Sequence, residues 1–290
     1  MPRTRNSKKT GDVTRFAPSP TGHLHLGHAF AALTAYHAAR KNKGSFLLRI
    51  EDIDPGRCKK EFAESIEEDL AWLGLDWEKP VLKQSKNMKA YTAAASVLDR
   101  KGLLFPCFCT RSDIQSEIDK SGQAPHGPDG PVYPGTCQKI SVENREVRMR
   151  KRGASYALRL DMKMAAAAGG LLTWKDRGQG GIKAQPAKFG DVVLARKDTP
   201  TSYHLASVVD DHQQGVTLVT RGADLMESTH VHRLLQALLG YDPPEYFHHR
   251  LIRDPVGRRL AKRDKDLTIR SLREANYTPD EVRTMTGFEG

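Results

Sequence analysis

Two histidines, His25 and His28, stand three residues apart behind a Pro/Gly-broken turn, in the stretch 15–28 that reads RFAPSPTGHLHLGH. Residues 12–16 before the turn read as a short strand, and residues 29–42 after it carry alanines and apolar side chains at helical spacing. A strand, a tight turn and a helix N-terminus place backbone N–H groups where a phosphate can lie. His25 and His28 would face the same phosphates. When charge accumulates on phosphates in a transition state, positioned imidazole donors and cations lower the barrier, so alignment and electrostatics suffice without a covalent nucleophile. Gly27, having no side chain to intrude, would let a ligand lie close to the backbone.

Other residues of the right type lie at the ends of strand-like runs. Residues 46–54, FLLRIEDID, are an apolar run ending in acids, which reads as a buried parallel strand with Glu51 at its C-terminal edge. In residues 216–225, VTLVTRGADL, Arg221 falls at a strand end. Asp224 nearby reads as a structural cap. Residues 247–253 read as a further strand, followed by the turn 254–257 and the basic loop RLAKR at 259–263.

The four cysteines are Cys58, Cys107, Cys109 and Cys137. Cys107 and Cys109 are too close in the chain for a structural disulfide and suit two thiolates on one metal. Cys137 follows a Pro/Gly-rich loop, and three thiolates with one further donor make a closed tetrahedral zinc site. His126 is the ordinary fourth ligand; Cys58 reads as a lone helix residue. No secretory signal and no apolar run long enough for a bilayer are present, which predicts a cytoplasmic, reduced setting without a membrane partner.

Lys and Arg number 46 against 35 Asp and Glu, a net charge of +11 with pI near 9.5. Phosphate attraction would supply much of the affinity for a nucleic acid and would weaken with salt. The basic surfaces are the 145–152 run, the 250–265 stretch and the 3–9 tail.

The block at 15–28 closely resembles the first signature of class I aminoacyl-tRNA synthetases, in the glutamyl branch, contiguously over 14 residues. The resemblance implies activation of an amino acid by attack of its carboxylate on the α-phosphate of ATP, with Mg²⁺ accompanying the nucleotide. It implies that His25, Gly27, His28, Leu260 and Lys262 meet ATP, with His25, His28 and Lys262 catalytic. The loop at 259–263 is a degraded relative of the family's Lys-Met-Ser-Lys-Ser loop: Arg259 replaces the first lysine and Ala261 the serine, while Lys262 keeps the second lysine. Glu51 resembles the residue that binds the substrate ammonium, Tyr203 the tyrosine presented by the family helix, and Arg15, Ala17, Ser19 and Arg221 complete the glutamate site. A planar guanidinium can grip both oxygens of a side-chain carboxylate, which makes Arg15 and Arg221 the candidates, and Arg221 favours glutamate over glutamine. The family also has a Cys-x-Cys, Tyr-x-x-x-Cys zinc site, which implies Tyr133 as the fourth ligand.

Roughly residues 12–275 carry the likeness, and the 25 residues from Asp266 to the end leave no room for the anticodon-binding domain of ordinary glutamyl enzymes. The chain thus resembles the truncated glutamyl-queuosine tRNA(Asp) synthetases, which implies transfer of glutamate to queuosine in the anticodon loop of tRNA(Asp). The partners expected are that tRNA, glutamate and ATP, with the protein a monomer. Rival readings are an ordinary glutamyl enzyme charging a tRNA 3′ end, a related nucleotidyltransferase, and a non-catalytic tRNA-binding paralogue.

The expected architecture is α/β, a Rossmann-like doubly wound parallel sheet with a zinc-containing insertion and a short helical C-terminal segment. Its parts are a disordered basic tail (1–11), the first half of the nucleotide-binding domain (12–104), the insertion (105–188), the second half (189–247) and the lysine loop with two short helices (248–290). Helices are expected at 59–73, 87–101, 142–152 and 267–276 and from Thr278, a strand at 155–160, and turns among the glycines of 165–181.

Overall fold

The computed structural model describes residues 11–41, 43–121, 126–128, 130–151, 155–196, 201–252 and 268–288. The first unit runs β1 (Val13–Phe16), α1 (Leu26–Lys41), β2 (Ser45–Ile50), α2 (Lys60–Trp72), β3 (Glu78–Lys83) and α3 (Met88–Arg100). Next come β4 (Leu104–Cys107), α4 (Arg111–Ser121), β5 (His126–Gly127), β6 (Gly130–Pro131), α5 (Val142–Arg150), β7 (Ala157–Leu160), α6 (Met162–Gly169), β8 (Thr173–Asp176), β9 (Gly180–Lys183) and β10 (Val193–Arg196). The chain continues through α7 (Tyr203–Gln213), β11 (Leu218–Gly222), α8 (Ser228–Leu239), β12 (Glu245–His249), α9 (Ile269–Glu274) and α10 (Pro279–Thr286).

Strands β1, β2 and β3 form a parallel sheet in that order, with Val13 opposite Ser45 and Phe16 opposite Leu48. A second sheet has the order β11-β12-β8-β9, parallel except for the β8–β9 hairpin. The two sheets abut at β1: the Thr217 N–H donates to the Val13 carbonyl at 2.9 Å, and the Val13 N–H to Thr217 Oγ1 at 2.9 Å. Chain connection therefore runs outward from β1 on one side and from β11 on the other, which opens a crevice at the strand C-termini between them. A separate antiparallel sheet, β10-β7-β4, lies in the region between the two units.

Strand β2 is buried on both faces, as a parallel sheet covered on both sides requires: Phe46, Leu48 and Ile50 join the core on one face, while on the other Arg49 is buried and Leu47 packs with the Trp174, Val219 and Tyr246 cluster. α1 covers the first of these faces with Leu33 and with Ala29, Ala32, Ala35 and Ala39, whose small side chains let the helix lie close. Gly44 marks the tightest approach, since a Cβ there would sit 1.9 Å from the Asp12 carbonyl oxygen. The C-terminal helices close the same core through Ile269, Leu272 and Val282, and α10 begins with a capping box between Thr278 and Glu281.

Several elements differ from the sequence expectations. α1 begins at Leu26, three residues before the expected start, because His25 already accepts from the N–H groups of His28 and Ala29. The glycine-marked stretch 165–181 does turn at Gly170, but it also carries most of α6, all of β8 and the start of β9. Cys58 lies in the loop before α2, its N–H bonded to the Asp54 carbonyl, and is not a helix residue. Among the described residues, no helix is long and apolar enough to cross a membrane.

Candidate active site

A cavity of about 390 Å³ opens where β1, β2, β11 and β12 end. Nine residues singled out from the sequence line it together: Arg15, Ala17, Ser19, His25, Gly27, His28, Glu51, Tyr203 and Arg221. Leu260 and Lys262 lie outside the described residues. Asp224, Leu225, His249 and Arg250 also line the cavity. The signal for His249 and Arg250 was their place at the C-terminal end of a parallel strand.

At the start of α1 the Gly27 N–H donates to His25 Nδ1 at 3.1 Å and the His25 N–H to His28 Nδ1 at 3.2 Å. With both Nδ1 atoms accepting, the ring protons sit on Nε2, and each imidazole is a donor there. The rings lie 3.8 Å apart between centroids. These two backbone N–H groups are therefore taken by the imidazoles, so anion recognition at this turn falls to the histidine rings. Gly27 has a second reason to be glycine: a Cβ would stand 2.9 Å from His25 Cε1.

Glu51 follows the last residue of β2, and its N–H is held by the Pro18 carbonyl at 3.0 Å. Burial pushes its carboxyl above the usual carboxylate range, opposed by the charges of Arg49 and Arg15. A ligand ammonium beside it would relieve that cost. Behind it lies an ion network that sequence reading missed. Arg49 is fully buried and donates to Asp211 at 2.7 Å, Gln214 at 3.1 Å and Glu51 at 3.3 Å. Arg15 donates through Nε to the same Asp211 carboxylate at 3.0 Å and through Nη1 to the Thr220 carbonyl at 3.1 Å. Arg15, expected as a candidate for the substrate side-chain carboxylate, thus already has a carboxylate partner in Asp211.

Arg221 is different. Its exposure is only 6%, and among the described residues it pairs with no carboxylate. Nε donates to His248 Nε2 at 3.1 Å and Nη1 to the Tyr203 hydroxyl at 3.2 Å; Nη1 also lies 3.3 Å from His232 Nδ1, and Nη2 donates to Thr229. Burial and the charge of Arg221 hold both imidazoles well below the usual histidine range, His248 at about 4. All four partners are thus neutral. A desolvated cation whose direct contacts are all neutral favours an anion at its side.

The cysteine cluster stands apart from this cavity. The Sγ atoms of Cys107, Cys109 and Cys137 lie within 4.8 Å of one another. The Tyr133 hydroxyl is 3.4 Å from Cys107 Sγ and 3.8 Å from Cys109 Sγ. Cys109 and Cys137, at 3.4 Å, are too far apart for a disulfide. Burial and a hydrogen bond with Cys137 push the Cys109 thiol up to about 12, and burial likewise raises the Tyr133 phenol. Burial also works against the Cys137 thiolate, but hydrogen bonds from Tyr133 and the Phe108 N–H outweigh it and hold that thiol below its usual value. Such a set loses its protons together only to a cation. The side chain of His126 lies outside the described residues.

With strand order, cavity and cation in place, comparison with known proteins is specific. A model for the catalytic domain of class I tRNA synthetases (E and Q) matches residues 13–288, and the chain belongs to that family. It is a ligase of the synthetase type. The glutamyl-Q tRNA(Asp) synthetase of Rhodobacter capsulatus is 46% identical over 281 residues, 95% of this chain and 100% of that one. That of Nitratidesulfovibrio vulgaris is 42% identical, over 94% of this chain and 84% of its own. A glutamate tRNA ligase from Elizabethkingia meningosepticum, crystallised with its amino acid, superposes with a TM-score of 0.75 at 29% identity, covering 88% of this chain and 53% of that one.

Proposed function

We propose that the protein activates glutamate with ATP and transfers it to queuosine in the anticodon loop of tRNA(Asp). In the first step an oxygen of the glutamate α-carboxylate attacks the α-phosphorus of ATP, and pyrophosphate leaves with its Mg²⁺. In the second, a hydroxyl of the queuosine cyclopentene ring attacks the acyl carbon of the adenylate; its proton is lost and AMP departs. His25 and His28 donate to the phosphates, Lys262 adds a positive charge, Glu51 takes the ammonium, and Tyr203 and Arg221 take the side-chain carboxylate, with Arg15, Ala17 and Ser19 lining the site. The observation that carries the reading is Arg221, a buried cation with no carboxylate in direct contact among the described residues, placed in one cavity with a buried acid and two imidazole donors.

The acceptor rests on the relatives of that name, 39–46% identical over most of the chain. An anticodon stem-loop of tRNA(Asp) carrying queuosine is expected to accept labelled glutamate in the presence of ATP, whereas the same stem-loop with guanosine is not. A splayed loop base is reachable by a protein crevice in a way that a stacked one is not. Label found only on the 3′-terminal adenosine of full-length tRNA would replace this reading with that of an ordinary glutamate ligase.

We further propose one structural zinc held by Cys107, Cys109, Tyr133 and Cys137. The donor set fits a closed tetrahedral site, and Arg159, whose guanidinium carbon lies 3.9 Å from the Tyr133 ring centroid, favours the phenolate form. Elemental analysis is expected to give one zinc per chain. Chelation should lower the melting temperature and open residues 105–140 to proteolysis, since such sites contribute folding energy directly. Undiminished zinc in Tyr133→Phe would move the fourth position to another donor.

A further inference from the structure

His248 and Asp176 lie beneath Arg221, with both side chains fully buried. Asp176, the last residue of β8, uses each carboxylate oxygen twice. Oδ1 accepts from the Gly178 N–H at 2.8 Å and the Gln179 N–H at 3.1 Å; Oδ2 accepts from the His248 N–H at 3.2 Å and lies 2.7 Å from His248 Nδ1. Four donors thus converge on one carboxylate and fix it. Because an ionised carboxylate only accepts, His248 must carry its proton on Nδ1. Nε2 is then left with its lone pair, which faces an obligate donor, Arg221 Nε at 3.1 Å. The other tautomer would set one N–H against another. The Thr229 hydroxyl completes the arrangement, accepting from Arg221 Nη2 and lying 3.2 Å from His248 Nε2. The imidazole is also held in plane by Tyr246, stacked at 5.8 Å with an interplanar angle of 3°, and by the edge-on Trp174.

We propose that Asp176 and His248 are a positioning pair: Asp176 fixes the tautomer of His248, and His248 orients the guanidinium of Arg221, so that the preference for a carboxylate over an amide side chain depends on two residues outside the cavity lining. The inference rests on the glutamate reading of Arg221 above. It has a physical rationale in the neutrality of His248. A carboxylate in direct contact with Arg221 would orient it equally well but would cancel the charge that a substrate anion needs; an interposed neutral imidazole supplies the orientation and leaves the charge available. Arg15 shows the contrast, since its Asp211 partner touches it directly.

The test uses His248→Phe, which keeps a ring between Tyr246 and Trp174 but lacks the acceptor, and His248→Gln, whose carbonyl can reach the place of Nε2. In pyrophosphate exchange His248→Phe is expected to raise the KM for glutamate about tenfold or more, the scale of a lost hydrogen bond to a charged group, and to leave the KM for ATP unchanged. His248→Gln should recover most of that loss. Discrimination between glutamate and glutamine should fall with the same pattern. In protein labelled with ¹⁵N-histidine, the resonances missing from His248→Gln should be those of an Nδ1–H imidazole at neutral pH. An Nε2–H pattern overturns the pair whatever the kinetics of His248→Phe. If Arg221→Gln raises the glutamate KM and His248→Phe does not, the positioning role is wrong; if neither does, the glutamate reading of Arg221 itself is wrong.

Discussion

Replacing His25 and His28 together by alanine is expected to lower glutamate-dependent exchange of pyrophosphate into ATP by about a thousandfold, the effect of removing positioned donors from a site where charge develops. The tautomers give the reason. Backbone N–H groups of Gly27 and His25 occupy the two Nδ1 atoms, so both rings present Nε2–H, which suits them to stabilise phosphate oxygens and not to act as general bases. Because the rings are in contact, each single replacement should cost more than half of the combined effect on a logarithmic scale. His28→Gln, whose amide can place an N–H near the Nε2 position, should retain more activity than His28→Ala. Glutamate binding measured in the absence of ATP should be unchanged in all of these variants. Exchange at the wild-type rate in the double variant would remove the histidines from the phosphate site.

The strand-turn-helix around His25 was legible because its signals are local: a turn rich in Pro and Gly between two periodic stretches. The cysteine cluster was legible for a related reason, since the Cys107–Cys109 spacing and a nearby third thiol leave few chemical uses. What sequence alone could not reveal depends on distant pairings. Arg15 and Asp211 are 196 positions apart, Arg49 and Asp211 are 162, and Asp176 and His248 are 72. Each is a buried polar residue, and its partner is decided by which strands and helices become neighbours. Arg49 illustrates the difficulty. Within residues 46–54 it reads as a charged interruption of a strand, whereas in the fold it is the hub that ties β2 to α7 and steadies Glu51. β8 was obscured in a different way: its four residues lie just after a glycine pair and just before another turn, and they become a strand by pairing antiparallel with β9 from Thr173–Lys183 to Asp176–Gly180 and meeting β12 at Tyr246–Asp176.

Arg221→Gln is expected to lower kcat/KM for glutamate by about 10²- to 10³-fold, while activity with glutamine, low in the wild type, changes by less than about tenfold. The asymmetry follows from how the charge is held. Arg221 is buried and, among the described residues, touches only neutral acceptors, the Asp176 carboxylate being held off behind His248, so a ligand carboxylate would be the first to contact it directly. Pairing of a buried charge is worth about 3–5 kcal/mol when one partner is removed, and about 1.4 kcal/mol corresponds to a factor of ten. An amide gains no such term, and for it the guanidinium is as much a desolvation burden as a donor. Glutamine should therefore neither benefit greatly from Arg221 nor suffer greatly from its loss. The KM for ATP should stay at its wild-type value, which separates a defect in the amino-acid site from general damage to the crevice. Glutamine serves as the internal control for folding. If both substrates lost activity by the same factor, Arg221 would be acting through Tyr203, Thr229 and His232 as a structural tie, and the carboxylate would have to be read by Arg15 in spite of its pairing with Asp211.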